Sequence, residues 1–360
     1  WLTLIGLGED GLAGLSPASR DALDGAEVVF GGPRHLALAD VGAKGQPWPV
    51  PFDPTPVLAH RGQPTVVLAS GDPFWFGAGG SLMAHLQPGE WTSHPAPSTF
   101  QLAANRLGWR LEEVLTLGLH AARFARLRPV LGRGVRVICT LRDGAAVAEL
   151  AAWLAANGHP NARLTILERL GGRQERITQG VPSDPNWTPV SAAPVSAAIL
   201  ATDPGLPGAS GLPDALFQHD GQITKRPVRA LTLSALAPRH GDLLWDIGAG
   251  SGSIGIEWLL AGGAKVAALE ADPTRAARAR GNVDAFGLSH RHHLTEARAP
   301  EGLADLPTPD AVFIGGGASE ALLAAVWTLI PPGTRLVMNA VTLETEALVL
   351  DWSTRHGGNL

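Results

Sequence analysis

Apolar residues fall into short runs separated by helical stretches, and the alternation repeats along the whole chain. Leu2–Leu7, Val28–Phe30 and Thr65–Ser70 are apolar runs of strand length, each followed by glycine-containing sequence. Val135–Leu141, Leu164–Leu167 and Val195–Leu200 continue the series. Between them, Pro17–Ala26 reads as a helix with Ser16 as N-cap and Pro17 at its first position. Phe100–Leu107 reads as a helix capped by Ser98 or Thr99, and Gly144–Asn157 as another. Residues 45–56 hold five Pro among twelve and read as a loop. The pattern then restarts. A helix over Val228–Leu236 leads to a strand at Leu243–Ile247, and Ser253 opens an apolar helix running to Leu260. A strand at Lys265–Glu270, a helix at Pro273–Phe286 and a short strand closed by Thr295–Pro300 follow. Ala311–Ile314 and Arg335–Val341 complete the set. Such alternation predicts an α/β protein. The Gly/Pro-rich stretch 203–213 has linker composition, which divides the chain into domains 1–202 and 214–360.

Composition agrees with two domains: 360 residues exceed what one core usually serves. A net charge of −5 leaves no nucleic-acid footprint. Of the 28 basic residues only Lys44, Lys225 and Lys265 are lysine. Arg forks pair well with carboxylates, although a GC-rich genome would produce the same bias. The single cysteine, Cys139, lies in an apolar run and allows no intrachain disulfide, so a reducing, cytoplasmic setting is expected. No 18-residue apolar run suggests a membrane span. A start at Trp1 without Met implies that a few residues precede it, and no signal-peptide pattern is visible. A homo-oligomer is expected.

The densest candidate chemistry lies at residues 243–255, Leu-Leu-Trp-Asp-Ile-Gly-Ala-Gly-Ser-Gly-Ser-Ile-Gly. A strand, a glycine loop and a helix N-terminus in that order make a nucleotide-type site. Gly250, Gly252 and Gly255 spell a dinucleotide fingerprint, with Glu270 twenty residues after Gly250 to hold a ribose. Gly248, Gly250 and Gly252 equally fit S-adenosylmethionine (SAM). Asp246 at the strand tip favours SAM, because a carboxylate there would repel a pyrophosphate and attract an ammonium and a sulfonium. His290, His292 and His293 cluster beside Arg291 but lack metal-ligand spacing, so no metal is expected. Gly315, Gly316 and Gly317 at a strand tip fit close approach of substrate. In the first half, Gly71-Asp72-Pro73 reads as a ligand-facing turn or an ordinary Asx turn.

The first half resembles the tetrapyrrole methylase family, in particular its precorrin-6Y C5-methylating branch. The resemblance covers about residues 1–200 and rests on an ordered set of pieces. These are Gly6-x-Gly8, Gly31-Gly32-Pro33-Arg34, Ser70-Gly71-Asp72-Pro73, Pro97-Ser98-Thr99-Phe100-Gln101 and Glu168-Arg169-Leu170-Gly171. It implies a two-lobed fold with SAM in the cleft, lined by Gly71, Asp72, Pro73, Ser98, Thr99 and Thr140. The family's usual Leu-His-Gly-Arg reads Leu119-His120-Ala121-Ala122-Arg123 here. The second half, about 214–360, resembles the class I SAM methyltransferases, more narrowly a decarboxylating, C15-methylating branch. Its matching residues are Thr224-Lys225, the glycine loop with Asp246, Glu270, Ala299-Pro300 and Phe313 to Gly317. By that resemblance Thr224 covers the cofactor and Gly248, Ala249, Gly250, Ser251 and Gly252 wrap its amino-acid end, while Glu270 holds ribose and Ala299 flanks adenine. The family's glycine before Ala-Pro is replaced by Arg298. Its sheet has seven strands, the last two a hairpin. The 19 residues after Val341 leave room for little beyond a helix, so that hairpin is expected to be missing.

Together the resemblances imply a cobalamin-synthesis enzyme with two SAM sites. It would methylate precorrin-6B at C5 and C15 and decarboxylate the C12 acetate, giving precorrin-8x. Methyl transfer to a ring carbon needs alignment and desolvation more than an acid–base pair, and no catalytic base is named. Arg34, Arg123 and Arg169 are candidates for the substrate's carboxylates. The alternatives are a nicotinamide (NAD(P)) oxidoreductase and a non-catalytic tetrapyrrole carrier.

Overall fold

A computed structural model describes residues 1–360. The chain forms two compact units, Trp1–Ala122 with Gly132–Pro204 and Arg123–Leu131 with Gly205–Leu360.

Unit 1 begins with β1 (Leu2–Leu7), α1 (Pro17–Asp24), β2 (Val28–Gly31), α2 (Pro33–Leu38) and β3 (Gly45–Pro47). It continues through α3 (Thr55–Leu58), β4 (Thr65–Ser70), α4 (Ala78–Met83) and β5 (Trp91–His94). These strands form a wholly parallel sheet in the order β3-β2-β4-β1-β5. β1, β2 and β4 are its apolar centre, covered on both faces, which is why each reads as an unbroken hydrophobic run. α5 (Thr99–Leu107) leads to a second sheet. That sheet holds β6 (Val114–Gly118), β7 (Arg136–Thr140), β8 (Arg163–Glu168), β9 (Arg176–Gly180) and β10 (Val195–Leu200), with α6 (Ala145–Ala156) between β7 and β8. Its order is β6-β7-β10-β8-β9, and only the β6–β7 pair is parallel.

Helix starts follow local chemistry. The Ser16 hydroxyl accepts the Ser19 N–H ahead of Pro17. At α5, Ser98 accepts the Gln101 N–H while the Gln101 side chain accepts the Ser98 N–H, a reciprocal capping box. Four strands lie outside the sequence expectation. β3 falls inside the proline-rich stretch expected to be loop, and β5, β6 and β9 are edge strands with exposed or half-exposed residues. Edge position removes the apolar run that marks a covered strand.

Unit 2 holds α7 (Arg226–Leu236), β11 (Leu243–Ile247), α8 (Ser253–Leu260), β12 (Lys265–Glu270) and α9 (Pro273–Ala285). β13 (His292–Glu296), β14 (Ala311–Ile314), α10 (Glu320–Leu329), β15 (Arg335–Met338) and α11 (Leu343–His356) follow. Five parallel strands run in the order β13-β12-β11-β14-β15, so the strand order reverses between β11 and β14. The third strand starts at His292 rather than ending at Pro300. His292 is buried and His293 exposed, so the two do not share one loop and point to opposite faces. Segment Arg123–Leu131 packs on the end of α9: Arg123 pairs with Asp284 at 2.9 Å, and the Arg128 guanidinium lies 4.3 Å from the Phe286 ring centre. No helix is long and apolar enough to cross a membrane.

A buried ion pair fixes the approach to the unit 2 sheet. Arg229 is 0 % exposed and Glu257 2 %, with 2.5 Å between Arg229 Nε and Glu257 Oε1. Glu257 also accepts the N–H groups of Gly211 and Leu212, and Arg229 donates to the carbonyls of Leu212 and Thr224. The pair therefore ties the segment before α7 to α8. Arg229 also pairs with the half-buried Asp214 at 3.0 Å, so removing Glu257 leaves the buried guanidinium with that one carboxylate and an unfilled site at Nε. Glu257→Ala should destabilise unit 2 by about 3–5 kcal/mol in denaturant unfolding of the full chain. A loss close to zero would show that the pair does not organise this core.

Candidate functional sites

Each unit contains one large cavity. In unit 1 a cavity of about 610 Å³ opens between the ends of the two sheets, with β1, β4, β7, β8 and β10 all contributing to its wall. The backbone crossing at Gly71 shapes it. Gly71 has φ +58°, and a Cβ there would come within 2.6 Å of Ser98 Cα. Its N–H bonds the Leu7 carbonyl and its carbonyl accepts the Ala96 N–H, so the turn after β4 is stitched to the end of β1 and to the entry of α5. Gly71, Ser98, Thr99 and Thr140 line the cavity as the sequence suggested. Asp72 and Pro73 do not. Asp72 Oδ1 accepts the Phe74 N–H at 2.8 Å, the Asx turn, and the Pro73 carbonyl accepts the Gly79 N–H.

Of the three arginine candidates, Arg34 and Arg169 reach this wall and Arg123 does not, being held on Asp284 in unit 2. Arg34 is ion-paired with Glu9, which also lines the cavity. The sequence assigned no role to the aromatic lining: Trp48, Trp75, Phe76 and Phe100 give the wall a broad apolar surface. His35 and Ser70 also line it; Ser70 opens a matched motif and His35 follows Arg34, but the sequence assigned neither a role.

In unit 2 a cavity of about 790 Å³ sits at the C-terminal ends of the strands, where the strand order reverses. Thr224, Gly248, Ala249, Gly250, Ser251, Glu270, Ala299 and Gly315 to Gly317 all line it. The N–H groups of Gly248 and Ala249 both bond the Leu269 carbonyl, which holds the loop down on β12. Glu270 Oε2 accepts the Gly250 N–H at 2.8 Å and Oε1 the Asp272 N–H at 2.9 Å. A carboxylate has about four lone-pair sites, so two remain for a ligand's hydroxyls. A Cβ on Gly248 would come within 3.0 Å of the Gly316 N, so this wall is backbone against backbone. These residues fit an adenosine group with an amino-acid tail. Gln222, Lys225, Arg298 and Asn339 add polar lining to which the sequence had assigned no role.

Two expected residues stand behind the wall. Gly252 shapes the turn with φ +73° as the N-cap of α8. Asp246 is 1 % exposed and turns towards that helix, where Oδ2 accepts the Gly255 N–H at 3.1 Å and Oδ1 has no partner. The inference that its charge faces the cofactor's positive end therefore fails. Burial pushes the Asp246 carboxyl up to about 7; the Gly255 N–H opposes that and the Glu270 charge adds to it. His292 lies nearby: a Cβ on Gly255 would come within 2.8 Å of its Nε2 and 3.1 Å of Asp246 Oδ2. Burial lowers that imidazole to about 4.

Comparison with known proteins agrees with this division. Residues 2–184 match the tetrapyrrole (corrin/porphyrin) methylases, and residues 215–360 match a precorrin methyltransferase domain. The fold and sites define a methyltransferase made of two different methylase units. Over its full length the chain is 48 % identical to the precorrin-6Y C(5,15)-methyltransferase [decarboxylating] of Sinorhizobium sp, covering 89 % of that protein. It is 37 % identical, again over its full length, to the protein of the same name from Mycobacterium tuberculosis (strain CDC 1551 / Oshkosh), covering 92 % of it. The crystal structure of the C-terminal domain of the precorrin-6Y C5,15-methyltransferase from Rhodobacter capsulatus is 53 % identical. It covers 43 % of this chain and 83 % of that one, with a TM-score of 0.42. The chain belongs to the family of decarboxylating precorrin-6Y C(5,15)-methyltransferases. A nicotinamide oxidoreductase and a non-catalytic carrier are thereby set aside.

The burial of Asp246 has a measurable pH signature. Its folded pKa lies above the ordinary carboxyl value, so its contribution to stability is complete below about pH 4 and is lost as pH rises through 7. Asp246→Asn keeps an acceptor for Gly255 and cannot ionise. The unfolding temperature of the wild type should fall relative to this variant by roughly 5 °C between pH 5 and pH 8. A gap independent of pH would mean that Asp246 is already ionised in the folded chain.

Proposed function

We propose that the chain methylates precorrin-6B at C5 and C15 and removes the C12 acetate carboxyl as CO2, giving precorrin-8x. Domain 1–202 carries out the C5 transfer and domain 214–360 the C15 transfer with decarboxylation, joined by the linker 203–213. Each domain binds its own SAM. The observation that carries this reading is one cavity per unit, each lined by the backbone turns and polar residues of a different methylase family. SAM, when bound, supplies an electrophilic methyl group on sulfur. Gly71, Ser98, Thr99 and Thr140 hold it in the first unit. In the second, Thr224, the Gly248–Ser251 loop, Glu270 and Ala299 hold it. The aromatic wall of the first cavity offers a flat apolar surface to a macrocycle and keeps water from the transfer. Carboxylates on the ring rim meet Arg34 and Arg169 in the first unit and approach Gly315 to Gly317 in the second. A net charge of −5 supports a small-molecule partner over nucleic acid, and we place the protein in the cytoplasm as a homo-oligomer.

Incubation with precorrin-6B and excess SAM should give a product heavier by two methyl groups and lighter by one CO2, read by mass spectrometry. A product with no methyl at C5 or C15 would contradict the reading. Glu270→Gln loses a charge-assisted ribose contact worth about 1.5–3 kcal/mol, or roughly ten- to a hundred-fold in SAM affinity at the second site. C15 methylation and CO2 release should fall together in this variant while C5 methylation continues. Loss of C5 methylation instead would reverse the assignment of the units.

A further inference from the structure

Four non-glycine residues have a left-handed backbone: Asp40, Phe76, Arg169 and Ala237. Two of them, Phe76 with φ +56° and Arg169 with φ +49°, line the unit 1 cavity. An aspartate tolerates this region, but a bulky side chain there is an outlier and carries strain. Such strain persists only where the surroundings over-determine it, and it gathers at ligand sites. Both neighbours of Phe76 are pinned. The Trp75 ring stacks on Phe100 at 5.5 Å, its Nε1 donates to Thr116 Oγ1 at 3.3 Å, and its backbone N–H donates to the Asp72 carbonyl at 3.1 Å. On the other side Gly77 lies so close to Pro73 that a Cβ would come within 2.5 Å of the proline carbonyl oxygen. The chain turns between these two fixed points, and Phe76 takes the turn. Its ring rests on Gly118, where a Cβ would come within 3.1 Å of Phe76 Cδ1, and lies 5.6 Å from the Phe100 ring. Even so, Phe76 stays 51 % exposed. Burial therefore does little to offset the strain: an apolar ring is held out of the core and left facing the cavity.

We propose that Phe76 is a specificity-determining residue of the first site, the platform on which the substrate's macrocycle stacks for C5 methylation. The proposal rests on reading the unit 1 cavity as the precorrin site. An aromatic face with one side supported and the other open suits offset stacking of a flat conjugated ring. Two features select the macrocycle over the adenine of SAM. The polar points of SAM match the backbone turns and hydroxyls of Gly71, Ser98, Thr99 and Thr140, whereas Phe76 offers only a half-exposed apolar ring. Arg169, the second strained residue of the wall, is a cation, so the two together present an apolar face and a positive charge. A flat ring rimmed with carboxylates uses both at once, and adenine carries no carboxylate. Stacking on a ring whose backbone is locked fixes the plane of the macrocycle, and with it the alignment of the ring carbon to the methyl group.

The test uses the full chain, precorrin-6B and SAM, and the variants Phe76→Leu, Phe76→Tyr, Phe76→Ala and Phe76→Gly. In Phe76→Leu, which stays apolar but loses the flat face, the KM for precorrin-6B in C5 methylation should rise about fivefold, the worth of one aromatic stack. The loss should fall on KM more than on kcat, because the stack is made equally before and during transfer. Phe76→Tyr keeps the ring and should restore KM to within about twofold of wild type. SAM affinity at the first site should hold in both variants, which also reports that the unit is folded. An unchanged KM in Phe76→Leu, or one that tyrosine does not restore, would overturn the platform. A fall in SAM affinity would put adenine on the ring instead and overturn it equally. The backbone is checked by the last two variants, both of which lack the ring. Glycine is ordinarily the less stable of the pair, and a left-handed site inverts that order. Phe76→Gly should therefore unfold about 2 °C or more above Phe76→Ala. A more stable alanine variant would show that Phe76 is not held under strain and would remove the ground of the proposal. A wild-type chain that never methylates C5 would overturn the reading of the cavity, and the platform with it.

Discussion

Both cavities depend on backbone meeting backbone where no side chain can intervene. In unit 1 the Gly71 carbonyl lies against Gly6, the Gly71 Cα against Ser98, and three chain segments converge at one point. In unit 2 Gly248 lies against Gly316 across the reversal in strand order. The arrangement exposes N–H groups, carbonyls and helix starts to the cavity and leaves the long side chains to shape its rim. A sulfonium with an adenosine and an amino acid has many polar points and one net positive charge. A wall of backbone dipoles, with the Glu270 carboxylate beside them, can satisfy such a ligand although Asp246 stands behind the wall.

The same economy explains which parts were legible in the sequence. Central parallel strands such as Leu2–Leu7 and Lys265–Glu270 are apolar throughout because both faces are covered, so their runs stand out. Edge strands carry no such mark: Trp91–His94 and Arg176–Gly180 have half-exposed and exposed residues and read as loop. Glycines at strand tips were legible because their positions relative to the strands are physical requirements. The orientation of Asp246 was not. Its place one residue before the end of β11 is visible, yet its direction depends on α8 packing over β11 and presenting the Gly255 N–H. Arg123 illustrates a different limit. It sits in a run of arginines beside a family motif, but nothing local reveals that Arg123–Leu131 packs with Asp284 and Phe286, more than 150 residues further on.

The two units also differ in how they treat charge. Unit 2 buries a complete pair, Arg229 and Glu257, whose remaining bonds go to backbone groups and to the Asp214 carboxylate, so the core carries its charges compensated. It also buries Asp246 and His292 with atoms lacking partners, and both pKa values move towards the neutral form. Unit 1 pairs its buried Glu168 with Arg176 and places a second pair, Arg34 with Glu9, on the cavity wall itself.

The central claim is that one chain carries two separate SAM sites. Calorimetric titration of the intact wild-type chain with SAM tests it most directly. The account predicts a stoichiometry of two, and Gly71→Val, whose side chain would collide with Ser98 in a left-handed turn, should reduce it to one. A wild-type stoichiometry of one, or a Gly71→Val chain that still binds two, would contradict it.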